Sequence, residues 1–281
     1  MKEIAASALT QTIKDMFLEL SYVGGKDLMC ALDNARTQEE SPLGQLVIDQ
    51  LMTNYQIAAK ERVAICQDTG MSVVFAEVGQ EVHITEGSFE EAIQQGVREA
   101  YTEGYLRKSI VRDPLFDRVN TGDNTPCVIH TRIVPGDTLK LTALAKGFGS
   151  ENMSALKMLV PADGIEGVKR FVLQTVEAAG PNPCPPIIVG IGIGGTFEQC
   201  ALLAKACTAL PLDQKNPDER YGALEDELLE RINALGIGPA GMGGRITALR
   251  VHIRQAATHI AGLPVAVNIC CHAARHATRT L

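Results

Sequence analysis

The sequence predicts a mixed α/β (α+β) fold. A helical N-terminal lobe over about residues 1–62 is followed by a mixed-sheet body over about residues 63–281, flanked by helices. Three observations carry this. Apolar residues recur at helical spacing along the first 62 positions, with Gly and Pro between segments. Beyond them, short apolar runs alternate with amphipathic helical stretches, as in a sheet covered by helices. Hydrophobic residues make up 46% of the 281, enough to bury a sizeable core.

Ile4, Leu9, Ile13, Phe17 and Leu20 fit one helix, broken at Gly24–Gly25. A second helix runs near 27–35. A third opens at Ser41–Pro42, a cap followed by proline at the first helical position, and carries Leu46, Leu51 and Ile57. CQDTG then precedes an apolar run, Met71–Val78, that reads as a strand. Ser88-Phe89-Glu90-Glu91 is a capping box that opens a helix to about Glu103. Residues 107–125 are polar and turn-rich. Strands follow near 127–134 and 138–145, joined by the Pro135-Gly136-Asp137 turn. KGFGSEN reads as a Gly-broken loop. A helix fits 165–179, a strand IIVGIGI, and helices 196–209 and about 218–235. The Gly-rich loop GIGPAGMGGR leads to strands near 247–253 and 265–269. No internal repeat, low-complexity tract or linker interrupts the pattern.

Lys+Arg number 26 and Asp+Glu 33, a net charge of −7, which argues against a nucleic-acid or anionic-membrane surface. No stretch of about 18 uncharged apolar residues suggests a membrane span. Glu3, Lys14 and Asp15 interrupt the N-terminus, unlike a signal peptide. A cytoplasmic, reduced protein is expected, so its eight cysteines should not form a disulfide framework.

The cysteines divide by setting. Cys30, Cys127, Cys200 and Cys207 fall on apolar helical or strand positions and are expected in the core. Cys66 meets the polar turn Gln67-Asp68-Thr69-Gly70. Cys184 is held between prolines in NPCPP. Cys271 follows a strand, in the doublet Cys270-Cys271 before His272. Each of these three sits at the edge of an element, on a stiff turn. No C-x-x-C pair supports zinc. Widely separated thiolates suit an iron–sulfur cluster assembled by the fold; three ordinary buried thiols are the competing explanation.

Other motifs add candidates. Gly190–Gly195 satisfies G-x-G-x-x-G between a strand and a helix, which would suit a nucleotide-binding oxidoreductase. The acid expected about 20 residues on is missing, since Asp213 lies in a polar loop with no strand before it. A tight strand-to-helix turn facing an anion fits better. Arg107, Lys108 and Arg112 form a basic cluster that could hold carboxylates or simply be solvated. His259, in THIAG before a strand, is a candidate for proton transfer or an ordinary structural histidine.

CQDTG, NTGDNTP, AKGFGSEN, NPCPPIIVGIGIGG, GIGPAGMGG and THIAGLPVAVN, in this order, resemble the α subunit of class I (iron–sulfur) fumarate hydratase. That family includes the α subunit of L(+)-tartrate dehydratase, and KGFGSEN resembles the fumarase form. The resemblance spans essentially the whole chain. It implies reversible hydration of fumarate to (S)-malate by a [4Fe-4S] cluster held by Cys66, Cys184 and Cys271, with Cys270 the rival to the last. It places Gln67, Asp68 and His259 in catalysis, and Arg107 (or Arg112), Gly149 and Gln67 on the small dicarboxylate substrate. Single-chain relatives continue into a C-terminal domain carrying the general base. A chain ending at Leu281 is therefore expected to need a separate β subunit, in an α2β2 assembly.

Overall fold

In the computed structural model, which describes residues 1–281, the chain forms two compact units. The first comprises residues 1–25, 54–148 and 275–281, and the second residues 26–53 and 149–274. The helices of the N-terminal lobe are shared between them. Helix α1 (Ala6–Tyr22) belongs to the first unit and α2 (Lys26–Gln38) to the second, while α3 (Pro42–Glu61) starts in the second and ends in the first.

The first unit is built on β2 (Met71–Gly79), the apolar run of the sequence. It pairs in parallel with β4 (Val128–Val134) and antiparallel with β5 (Leu139–Lys146). The Pro135–Asp137 turn therefore does not close a simple hairpin, because β2 lies between the strands it joins. The reason is burial: β2 is mostly inward-facing and gains from two neighbours, whereas β4 is half exposed and suits an edge. A strand not foreseen, β10 (His276–Thr280), extends the sheet beyond β5, giving the order β10-β5-β2-β4. Strands β1 (Lys2–Ala5) and β3 (Val82–Thr85) form a small parallel pair. Val74 and Ala76 of β2 and Leu139, Leu141 and Ala143 of β5 share a face. That face carries α1 and α4 (Phe89–Glu103) through Leu9, Ile13, Phe17, Ile93 and Val97. Ser88 caps α4, its Oγ accepting the Glu91 N–H at 3.4 Å.

The second unit is a sheet in the order β6-β9-β7-β8, formed by β6 (Ala155–Leu159), β7 (Ile187–Gly194), β8 (Ala248–Ala256) and β9 (Leu263–Cys270). KGFGSEN contains one helical turn, α5 (Phe148–Glu151). Helices α6 (Gly164–Ala179) and α8 (Glu219–Asn233) cover one face, burying Val172, Val176, Leu228 and Ile232 against Val189, Ile191, Val265 and Val267. Helix α7 (Phe197–Cys207) covers the other, packing Cys200 and Ala204 on Ala266. A Cβ at Gly190 would lie 2.3 Å from the Ala204 carbonyl oxygen, and one at Gly192 would lie 2.1 Å from that of Cys200. These glycines sit inside β7 and let α7 lie directly on it. The G-x-G-x-x-G spacing is explained here by helix–strand packing.

Candidate functional site

In the first unit the CQDTG turn is pinned at Asp68, Thr69 and Gly70, and at Ile65 just before it. The Ile65 N–H donates to the Ser21 carbonyl at 3.0 Å, and the Ile65 carbonyl accepts from Asn54 Nδ2 at 2.9 Å. Cys66 is half-buried, and its thiol donates to Gln67 Oε1 at 3.4 Å. The Asp68 carboxylate clasps two segments: Oδ1 accepts the Gly70 N–H at 3.0 Å and Oδ2 the Phe148 N–H at 2.8 Å. CQDTG and KGFG, far apart in sequence, thus meet on one carboxylate. Gly70 has φ +81°, and its Cβ would stand 2.8 Å from the Ala145 carbonyl carbon, so only glycine fits.

Below the turn lies a buried polar layer. Tyr101 donates its hydroxyl to the Thr69 carbonyl at 2.8 Å, and burial pushes its phenol up to about 12, so it remains a neutral donor. Asn124, fully buried, joins two loops: its Nδ2 donates to the Gly70 carbonyl at 3.2 Å and its Oδ1 accepts the Ser109 N–H at 2.7 Å. Thr69 Oγ1 donates to the Arg107 carbonyl at 2.7 Å. Arg107, exposed, is therefore fixed beside the turn. Arg112, also exposed, lies farther along in a bridged loop where Val111 pairs with Asn120.

In the second unit the β7–β9 pairing gathers three segments at one sheet end. Ile188 pairs with Cys270, so the residues before β7 and after β9 emerge together. The His272 N–H donates to the Cys184 carbonyl at 3.4 Å, and the Ala240 N–H to the Pro185 carbonyl at 2.8 Å. NPCPP, the segment after Cys270 and the GIGPAGMGG loop are thus linked by backbone bonds. Cys184 is exposed and held at φ +54°, a left-handed conformation that non-glycine residues rarely take and that clusters at functional sites. Cys271 is half-buried just outside β9, whereas Cys270 is the last ladder residue and 1% exposed.

The Gly-rich loop is anchored by Glu39, a 2%-exposed residue after α2. Its Oε1 accepts the N–H groups of Ser41 (2.8 Å) and Arg245 (3.0 Å), and its Oε2 that of Ile246 (2.7 Å). Burial alone would raise its pKa, but these amides and that of Glu40 outweigh it and hold the carboxyl below its ordinary value.

The other cysteines sort differently. Cys127, Cys200 and Cys207 are buried as expected. Burial pushes the Cys127 thiol up strongly, Cys200 to about 11 and Cys207 to about 12, so all three stay protonated. Cys30 corrects an expectation: it is exposed, not in the core. The buried stripe of α2 is Leu28, Leu32 and Ala35. Cys30, two residues after Leu28, is rotated about 200° from it.

His259 is exposed in the turn between β8 and β9, its Nδ1 accepting the Ala261 N–H at 3.2 Å. That turn lies by Gly195, whose carbonyl accepts from Thr258 Oγ1 at 2.9 Å. It is the opposite end of the β7–β9 pair from Cys184 and Cys271. The ladder from Ile188 to Ile193 separates them by on the order of 20 Å. Gly149 is exposed at the start of the second unit. Cys66 belongs to one unit and Cys184 and Cys271 to the other, and within neither do three His, Cys, Asp or Glu side chains converge as a site for a single metal ion. A cavity of about 360 Å³ between α6 and α8, lined by Ile165, Val168, Ile193, Tyr221 and Leu263, contains none of the expected site residues.

Sequence reasoning missed Arg275, Tyr101 and Glu39. Arg275 hides among small residues in HAARHAT, and Glu39 reads as a solvated charge beside Glu40. Asn124 was visible inside NTGDNTP, though not as a pin.

Each of the two α/β units presents polar turns and solvent-accessible thiols beside its strands, and the comparisons name the family. The chain belongs to the fumarate hydratase (fumarase) family, whose sequence model matches residues 10–280. It is 40% identical over 277 residues, 97% of each chain, to a Methanocaldococcus jannaschii protein provisionally named L(+)-tartrate dehydratase subunit alpha. It is 32% identical over 281 residues, 99% of this chain and 92% of the other, to the L(+)-tartrate dehydratase subunit alpha of Escherichia coli K12. The same values hold for the Shigella sonnei protein of that name.

Proposed function

We propose that this chain is the α subunit of an iron–sulfur hydro-lyase that interconverts fumarate and (S)-malate, with Cys66, Cys184 and Cys271 as thiolate ligands of a [4Fe-4S] cluster. One observation carries the reading. Of eight cysteines, these three alone combine access to solvent with a place on a pinned, irregular turn next to a strand end. The donor set fits: three thiols free of disulfides, while burial keeps Cys127, Cys200 and Cys207 protonated. Cys271 is preferred to Cys270, whose side chain is committed to the core.

When bound, the cluster supplies a Lewis-acidic iron that polarises the substrate hydroxyl. The chain's residues do the rest. Arg107, its backbone fixed through Thr69, holds a substrate carboxylate, with Arg112 the rival for that role. Gln67 orients the substrate with an exposed amide. Asp68 has both carboxylate oxygens on backbone amides, so it sets the geometry of the turn and of the KGFG segment that leads to Gly149. His259 is too far from Cys184 and Cys271 to serve the same chain's site, so it acts on the site of a second α copy, consistent with an α2β2 assembly. The relatives' names carry the word alpha, which supports a β partner, expected to supply the general base. A cytoplasmic location fits free thiols and the absence of any helix long and apolar enough to cross a membrane.

The KGFGSEN motif favours fumarate. The relatives' names favour a second reading, L(+)-tartrate dehydration. Anaerobic assay with the β partner decides. The fumarate reading expects kcat/KM for fumarate at least about tenfold above that for tartrate. The reverse ratio establishes the tartrate reading, and turnover of neither by iron-loaded enzyme overturns both.

A further inference from the structure

Arg275 is 2% exposed, and its Nε has no hydrogen-bond partner. A buried guanidinium is costly unless its position is used. Its Nη1 donates to the Asp68 carbonyl at 2.7 Å. A Cβ placed on Gly147 would lie 3.3 Å from Asp68 Oδ2 and 3.6 Å from Arg275 Nη2, so the carboxylate, the guanidinium and the KGFG backbone converge on one spot. The Arg275 carbonyl in turn accepts the Ala145 N–H at 3.0 Å, fixing its backbone to the end of β5. The positive charge also faces the buried Tyr101 phenol. Cys66 lies two residues before Asp68, the residue that this network holds.

We propose that Arg275 is a positioning residue for the candidate site, its buried guanidinium locking the Cys66–Gly70 turn through the Asp68 carbonyl against Gly147. Asp68 binds the same turn to KGFG through its carboxylate, and Arg275 grips that residue from its backbone side. The turn is thus held at both ends of Asp68, and the Cys66 thiol stays at a defined place before any metal arrives. This inference rests on the reading above that Cys66 is a ligand only for its functional meaning, not for its geometry.

The test is alkylation of individual cysteines by iodoacetamide, followed by mass spectrometry, on the full-length chain with any partner it retains. Cys184, in the other unit, is the internal reference. Arg275→Gln should raise the Cys66 rate relative to Cys184 about tenfold, the weight of one charge-assisted hydrogen bond. Arg275→Lys, which keeps a cationic N–H donor, should restore most of the protection. Unchanged Cys66 labelling in a folded Arg275→Gln chain overturns the proposal, as does an equal rise at Cys66 and Cys184. If Arg275→Gln does not fold, Arg275→Lys decides: a smaller rise confined to Cys66 supports the proposal and no rise overturns it. Wild-type chain that takes up no iron would defeat the hydro-lyase reading and leave the labelling result standing.

Discussion

The His272 amide donates to the Cys184 carbonyl at 3.4 Å, which joins NPCPP to the residues that follow β9. The relationship follows from topology. Because β7 and β9 are antiparallel and Ile188 pairs with Cys270, whatever precedes β7 must meet whatever follows β9. Cys184 and Cys271 lie some 87 positions apart in sequence, yet the fold delivers their backbones to one sheet end. Cys184 sits in the left-handed region at the close of a turn, its N–H donating to the Pro181 carbonyl at 3.1 Å.

Helix α7 should be intolerant of any side chain beneath it. Gly192→Ala places a Cβ against the Cys200 carbonyl, a backbone atom that cannot turn away, and should cost about 1–3 kcal/mol or more. Gly222→Ala, inside α8 with only Asn216 Cβ nearby at 3.9 Å, should stabilise by up to about 1 kcal/mol. Thermal unfolding of the pair should show Tm moving in opposite directions. Equal shifts would mean that α7 does not lie as close to β7 as described.

Glu39 should make stability depend on acid. Its carboxyl is held below its ordinary value near 4.5. The stability it adds is therefore fully present above that value and drains away as pH falls through the lower folded value. Glu39→Gln puts an NH2 where a carboxylate accepted backbone N–H groups and should cost about 2–4 kcal/mol at neutral pH. Glu40→Gln breaks only an exposed pair with Arg245 and should cost less than about 1 kcal/mol. Urea titrations of wild type and Glu39→Gln at several pH values should converge toward low pH. Parallel curves would show that Glu39 carries no pH-linked stability.

His259 should complement between copies. A chain with His259→Asn and one with Cys184→Ala should each be inactive alone. Mixed in one assembly, they should recover about a quarter of wild-type activity, since half the pairs are mixed and each has one intact site. Proven mixing without recovered activity would place His259 outside the site.

Much of this was legible in the sequence, because its signals were local. The Ser88 capping box, the apolar runs of β2 and β7 and the edge settings of Cys66, Cys184 and Cys271 are read from neighbouring residues. The illegible parts are long-range. The insertion of β2 between β4 and β5 is decided by which strand gains most from two neighbours. Strand β10 is short, polar and outward-facing, so it carries no apolar signature, and β6 is apolar but only five residues long, too short for its period to mark a strand. Cys30 sat near an apolar stripe but on the wrong side of it. Leu46 and Ile57, both 52% exposed, show that apolar residues at helical spacing need not face a core. Arg275 is invisible to pattern because its importance comes from a carbonyl 207 positions away.

The central claim is the three-thiolate cluster, and iron content measures it most directly. Chain reconstituted anaerobically with iron and sulfide should be brown and hold about four irons, which Cys66→Ala, Cys184→Ala and Cys271→Ala should each lose. Cys30→Ala and Cys200→Ala should keep them. A colourless wild type, or full iron in any one of the first three variants, would contradict the account.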